Sequence, residues 1–330
     1  MGIDRPAAAA PSHREAVKVV ADTPLPVTGA AGAGVFRLYV SRDWSKPDPS
    51  VTRAVTVIHG RLRNAVVYRR SAETALVAAG PEAQAETLLV TPQFLADQDI
   101  PARDLPPDTL RWTAEGWMGG EPATGPAPVS SFEALDAIMD RLADRALFPN
   151  LRQIVIAGHS AGGQVVQRYA AAFRKDAALA RLGVRMRFVV ANPSSYLYFS
   201  ADRSTPTDPK ACPDVDRWKY GLQDRPPYAA DRDAPTLEAE YVARDVVMLL
   251  GAKDADPNHR ALDRSCAAEA QGPNRLARGL NYFDYLSARH PDGFRHVLRR
   301  VAGVGHNGDA MLTSPCGLRA LFDAPGCDAP

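Results

Sequence analysis

The segment Gly158-His159-Ser160-Ala161-Gly162 sets a serine between glycines at the end of the apolar run Gln153-Ile-Val-Ile-Ala157. A buried strand, a Gly-x-Ser-x-Gly turn and a helix beginning at the serine together form the setting of a nucleophile elbow. Side chains flanking so tight a turn would clash, which explains the glycines. The serine itself takes a strained backbone conformation that lifts its hydroxyl above the sheet. The helix that starts there aims its amides and its positive end at a developing oxyanion. The competing interpretation, a Gly/Ser strand-to-helix turn without chemistry, leaves the downstream residues unexplained.

A serine hydroxyl is a weak nucleophile at neutral pH and needs a general base oriented by an acid. In an elbow topology these follow in the order Ser, Asp or Glu, His. Of the seven histidines, His306 alone lies in a glycine-rich loop, Ala302-Gly-Val-Gly-His306-Asn-Gly, after the last strand-like run and before a short helix. It is the expected base. The acid is expected in Gly251-Ala-Lys-Asp254-Ala-Asp256-Pro-Asn258, just past the run Asp245–Leu250. Asp254 has the better spacing, with Asp256 as its rival. The same string fails as an EF-hand, because His259 stands where the glycine is needed and Ser265 where the closing Glu is needed. An oxyanion hole needs two backbone donors. The amide of Ala161 supplies one, and that of Arg61, in the turn His59-Gly60-Arg61-Leu62-Arg63, the other. The Arg61 and Arg63 side chains could meet an acidic substrate group, or could be ordinary solvated arginines.

These residues require a frame. Near-continuous apolar runs at Ala54–Ile58, Thr87–Val90, Gln153–Ala157, Phe188–Ala191 and Asp245–Leu250 are the signature of parallel strands buried on both faces. Val35–Val40 suggests an earlier, half-exposed strand, and His296–Ala302 a last one nearer an edge. Helical patterns cover Asn64 to Ala79, a stretch opened by the capping box Ser130-Ser-Phe-Glu133, Ser160 to about Arg174, and Asn274 to Ala288. The alternation predicts an α/β fold with a doubly wound, mostly parallel sheet. Two Pro-rich stretches break it, at about 96–129 with Trp112 and Trp117, and at about 194–237 with Tyr196. Loops this long are functional or are excursions. We place them over one end of the sheet, with Trp112, Trp117, Tyr196 and His159 as candidate substrate contacts; the alternative is surface elaboration whose aromatics cover the sheet.

Formal net charge is +1, from 39 Lys and Arg against 38 Asp and Glu. There is no basic stripe, which argues against nucleic acid and anionic membrane as partners. No apolar run reaches the roughly 20 residues of a membrane span. Residues 1–31, rich in Ala and Pro, suggest a loose arm ahead of a single domain over 32–330. They contain neither a signal peptide nor a myristoylation pattern. Four cysteines in loop-like settings, none in a C-x-x-C pair, argue against zinc and suggest two disulfides, Cys212–Cys266 and Cys316–Cys327. That implies a secreted or periplasmic protein whose signal is already gone; four reduced thiols in the cytoplasm is the alternative. Gly29-Ala-Ala-Gly32-Ala-Gly34 opens no helix, so no dinucleotide fingerprint is present.

His59-Gly60, Gly158-His-Ser-Ala-Gly162, Asp254 and His306, in that order, resemble the α/β-hydrolase superfamily over about residues 35–325. The resemblance implies an acyl-enzyme mechanism without cofactor or metal, acting on a small or polymeric ester. Amidase or peptidase, thioesterase or acyltransferase, and perhydrolase activities share the same residues. A non-catalytic binding protein of the same fold is the reading from another class. The two insertions and the disulfides look like those of secreted esterases.

Overall fold

The computed structural model describes residues 12–208 and 210–327. Eight strands form one sheet: β1 (Thr23–Gly29), β2 (Gly32–Val40), β3 (Arg53–Ile58), β4 (Thr87–Gln93), β5 (Gln153–His159), β6 (Arg185–Ala191), β7 (Asp245–Gly251) and β8 (Val297–Val301). Their spatial order is β1-β2-β4-β3-β5-β6-β7-β8. The hairpin β1–β2 runs antiparallel to the rest, while β4, β3 and β5 to β8 are parallel. Every residue of β4 and β5 is buried, which is why those strands are apolar without alternation. Strand β8 closes the sheet as an edge and is the least buried of the parallel set.

The helices that position the site are α1 (Ala65–Ala78), α2 (Ser131–Ala143), α3 (Ala161–Ala172), α4 (Ala234–Ala243), α5 (Arg275–Arg289), α6 (Gly308–Leu312) and α7 (Pro315–Phe322). Helix α2 begins with the expected capping box of Ser130 and Glu133. Helices α2 and α3 cover one face of the sheet in a core built on Phe132, Leu135, Val165, Tyr169 and Phe188. On the other face α1, α6 and α7 pack through Ala72, Ala75, Met311 and Leu321. Sheet covered on both faces is the doubly wound arrangement that the alternation predicts.

The segment expected to be a loose arm is not loose over its described part. Strand β1 lies within it, with Leu25 and Val27 buried and Pro24 and Pro26 exposed. A period-2 pattern is present there, but proline hides it, and an edge strand tolerates proline because one row of its amides needs no partner. Before β1, the Val17 amide donates to Asp99 Oδ1 (2.7 Å) and the Ala21 amide to Gln93 Oε1 (2.7 Å). Residues 1–11 of that arm lie outside the described residues. The cysteines pair as expected, Cys212 with Cys266 and Cys316 with Cys327. Among the described residues no helix is long and apolar enough to cross a membrane.

Candidate active site

Ser160 sits between β5 and α3 with φ +60° and ψ −119°, a left-handed conformation that costs a non-glycine residue energy. Its amide donates to the Ala191 carbonyl of β6 (2.9 Å), which holds the turn to the sheet. The flanking glycines are sterically required. A Cβ on Gly158 would lie 2.3 Å from the Gly162 carbonyl carbon, and one on Gly162 would lie 2.3 Å from the Ile58 carbonyl oxygen.

His306 lies between β8 and α6. Its Nε2 is 2.9 Å from Ser160 Oγ and its Nδ1 2.7 Å from Asp254 Oδ2. Asp254 follows β7, is 2% exposed, and faces His306, whereas Asp256 is exposed and accepts from the Asn258 amide. With an anionic Asp254, Nδ1 carries the proton and Nε2 is left to accept from the serine hydroxyl. Burial lowers the His306 pKa from its ordinary value; the Asp254 hydrogen bond opposes this, and Arg275 and His259 add to the lowering. His306 therefore favours the neutral form that a base requires.

Residues not singled out by the sequence hold these loops in register. Asn192, after β6, accepts from the Gly251 amide with Oδ1 (2.8 Å) and donates from Nδ2 to the Gly305 carbonyl (3.2 Å). It thereby ties the acid loop to the histidine loop, as does the Lys253 amide on the Val304 carbonyl (2.8 Å). Arg275, the first residue of α5, places Nη1 3.4 Å from the other Asp254 oxygen and donates from Nε to Ser194 Oγ (2.9 Å). An asparagine at a strand end and an arginine opening a helix are common features, and neither announces a site by itself.

The two amides expected to form the oxyanion hole are those of Ala161 and Arg61. Ala161 opens α3, so its amide has no acceptor within the helix. The Arg61 amide donates to no described backbone carbonyl. Its loop is fixed from below: Arg63 and Asp99, both 0% exposed, pair at 3.1 Å, and Asp99 also accepts from the Ala96 amide (2.7 Å). Arg63 is thus a buried anchor and not a solvated or substrate-facing arginine. His59 accepts from the Phe94 amide at Nε2 (2.9 Å), and burial lowers its pKa to about 4.

Two cavities flank Ser160. The first, about 300 Å³, is lined by Arg61, Met118, Ala161, Gln164, Lys219 and Tyr220 among others. The second, about 350 Å³, includes Tyr68, His159, His259 and His306. Both insertions supply walls, but through Met118 and Lys219 instead of the aromatics expected. Trp112 and Trp117 are 0% exposed in the core beneath, where Trp117 stacks on Phe94 (5.1 Å). Tyr196 is equally buried and stacks on Tyr282 (4.5 Å). Large aromatics in loops are as well suited to covering a sheet as to binding a ligand, and here they cover it. His159 does line the second cavity, its Nδ1 3.1 Å from the Tyr68 hydroxyl.

No protein-family model matches the sequence. No curated protein matches it either. Solved structures do. The chain is similar to poly(aspartic acid) hydrolase-1 from Sphingomonas sp. KT-1, with TM-score 0.61 and 23% identity, covering 92% of this chain and 98% of that one. It is also similar to LpqC, a poly(3-hydroxybutyrate) depolymerase from Bordetella parapertussis, with TM-score 0.61 and 24% identity over 90% and 86% of the two chains. The chain has the α/β-hydrolase fold.

Proposed function

We propose that this protein is a serine hydrolase that cleaves a carboxylic ester through an acyl-enzyme on Ser160. The observation that carries this reading is the continuous relay from Ser160 Oγ through His306 to Asp254, at 2.9 and 2.7 Å. Ser160 Oγ attacks the ester carbonyl while His306 Nε2 takes the hydroxyl proton. The amides of Ala161 and Arg61 hold the oxyanion. The intermediate collapses by breaking the bond to the alcohol oxygen, which receives the proton from His306 and leaves. Water then attacks the acyl-enzyme, gives its proton to His306, and the carboxylic acid departs as the serine is reprotonated. Asp254 keeps the imidazole oriented and stabilises its protonated form. The substrate is a small or polymeric ester. Two disulfides support a secreted or periplasmic location, since such bonds persist in oxidising compartments.

A fluorophosphonate probe followed by peptide mapping tests the reading. The expected result is a single adduct on Ser160 in the native protein and none in Ser160→Ala. Folded protein that hydrolyses p-nitrophenyl esters while Ser160 stays unlabelled would exclude this mechanism.

A further inference from the structure

The two cavities on either side of Ser160 are not equivalent. The second contains His306, whose Nε2 must hand its proton to the departing alcohol oxygen, so the alcohol leaves through that side. The first is lined by Ala161 and Gln164 and not by His306, while Arg61 borders both. The acyl chain, which stays attached to Ser160, therefore occupies the first.

Behind the Gln164 wall of that first cavity lies a buried arginine. Arg168 is 0% exposed, and among the described residues no carboxylate lies within ion-pair distance of it. Its guanidinium donates instead to the Met118 and Lys219 carbonyls (3.1 Å each), to Ser195 Oγ (3.0 Å) and, through both Nη atoms, to Gln164 Oε1 (3.1 Å each). Ser195 Oγ also donates to that oxygen (3.1 Å). With Oε1 so held, the Gln164 amide orientation is fixed and its Nε2–H₂ end is left without a described partner, facing the cavity one helical turn beyond Ser160. Beside it Lys219 Nζ donates to no described acceptor, and its one carboxylate within 4.0 Å, Glu115, is 3.8 Å away and 63% exposed. Burial and the nearby Arg168 both lower the Lys219 pKa, while the charges of Asp263, Glu115 and Glu121 act against that lowering. Asp263, the other acidic group on this wall, has its oxygens engaged by Tyr220 Oη (2.8 Å) and Ser265 Oγ (2.8 Å). A half-buried ammonium and an oriented amide donor on one cavity wall, neither with a hydrogen-bond acceptor, present two donors to an incoming anion.

Building on the serine-hydrolase reading above, we propose that the first cavity is an acyl-chain subsite for a carboxylate. The preferred substrates are esters whose acid portion carries a second, ionised carboxyl group, held by Lys219 Nζ and Gln164 Nε2.

The test compares p-nitrophenyl monoesters of glutaric and adipic acid with the same compounds methylated at the free carboxyl, after subtracting the background with Ser160→Ala. A third arm places the carboxylate on the alcohol side, comparing 4-acetoxybenzoate with phenyl acetate. The expected result is kcat/KM roughly ten- to hundredfold higher for one of the anionic acyl chains than for its methyl ester, the size of a charged hydrogen bond. No such gain is expected from a carboxylate on the leaving group. Lys219→Met lowers the anionic-to-neutral ratio toward one. If that variant does not fold, glutarate protection of wild-type Ser160 against the fluorophosphonate, set against equal concentrations of butyrate, reads the same subsite. Equal kcat/KM for charged and methylated acyl chains, a preference appearing only on the leaving-group side, or no greater protection by glutarate would each overturn the subsite. Ser160 labelling in the same samples separates that result from failure of the hydrolase reading.

Discussion

At the scale of single residues, each relay member has its own expected signature. Ser160→Ala and His306→Ala each lower kcat by about three to six orders of magnitude and leave the melting temperature near that of the parent, measured by ester hydrolysis and circular dichroism. Asp254→Asn lowers kcat by roughly 10⁴, because it no longer selects the histidine tautomer. Asp256→Asn, altering an exposed carboxylate that bonds only its own turn, stays within a factor of about two; a larger loss there than at Asp254 would reverse the assignment of the acid. The pH profile follows from the lowered His306 pKa. A base works only when neutral, so kcat/KM rises with pH through the imidazole pKa and is flat above it. The midpoint of the acid limb is therefore expected below 6.5, and a midpoint above 7 would contradict the burial that lowers it. Ser160 and Asp254 were legible because each lies just past an apolar strand, and His306 because it lies in a glycine-rich loop after the last, edge strand. Lys219 and Gln164 were not, because only the packing of a distant loop against Gln164 and Arg168 of α3 puts the two on one cavity wall.

Elements place those residues, and their legibility divides along physical lines. The parallel strands declare themselves because burial on both faces demands unbroken apolar sequence; β3, β5 and β7 begin within a residue of where the runs begin. Strand β1 was hidden because alternating prolines look like a linker until the burial of Leu25 and Val27 is seen. Trp112, Trp117 and Tyr196 mark the converse case, in which sequence shows that a loop is aromatic but not which way its rings face. The loop after β3 yields a prediction at this scale. Arg63 and Asp99 form a fully buried pair beneath the Arg61 amide. Asp99→Asn leaves the arginine charge without its partner and costs about 3–5 kcal/mol, read as a fall in denaturation midpoint. Because the same loop carries the proposed oxyanion donor, kcat is expected to fall with it, while fluorophosphonate still labels the folded fraction at Ser160.

For the molecule as a whole, the two disulfides do different work. Cys316–Cys327 closes 11 residues at the C-terminal end, whereas Cys212–Cys266 spans 54 and joins the second insertion to the segment bearing Asp263. In the chain-entropy account the longer loop contributes about 4 kcal/mol and the shorter about 3. Cys212→Ser paired with Cys266→Ser is expected to lower stability more than the equivalent C-terminal change, and to raise KM as well, because it frees a wall of the first cavity. Equal melting points with unchanged KM would contradict both expectations. One small contact has a wider consequence. The Ser160 amide bonds the Ala191 carbonyl, so the reactive turn is stitched into the middle of the sheet and not carried on a surface loop. Its strained backbone can relax only when the central strands part, and those strands belong to the most cooperative unit of such a fold. Heat should then abolish reactivity and tertiary structure together, in a single transition, with no warm interval in which the protein is intact but dead.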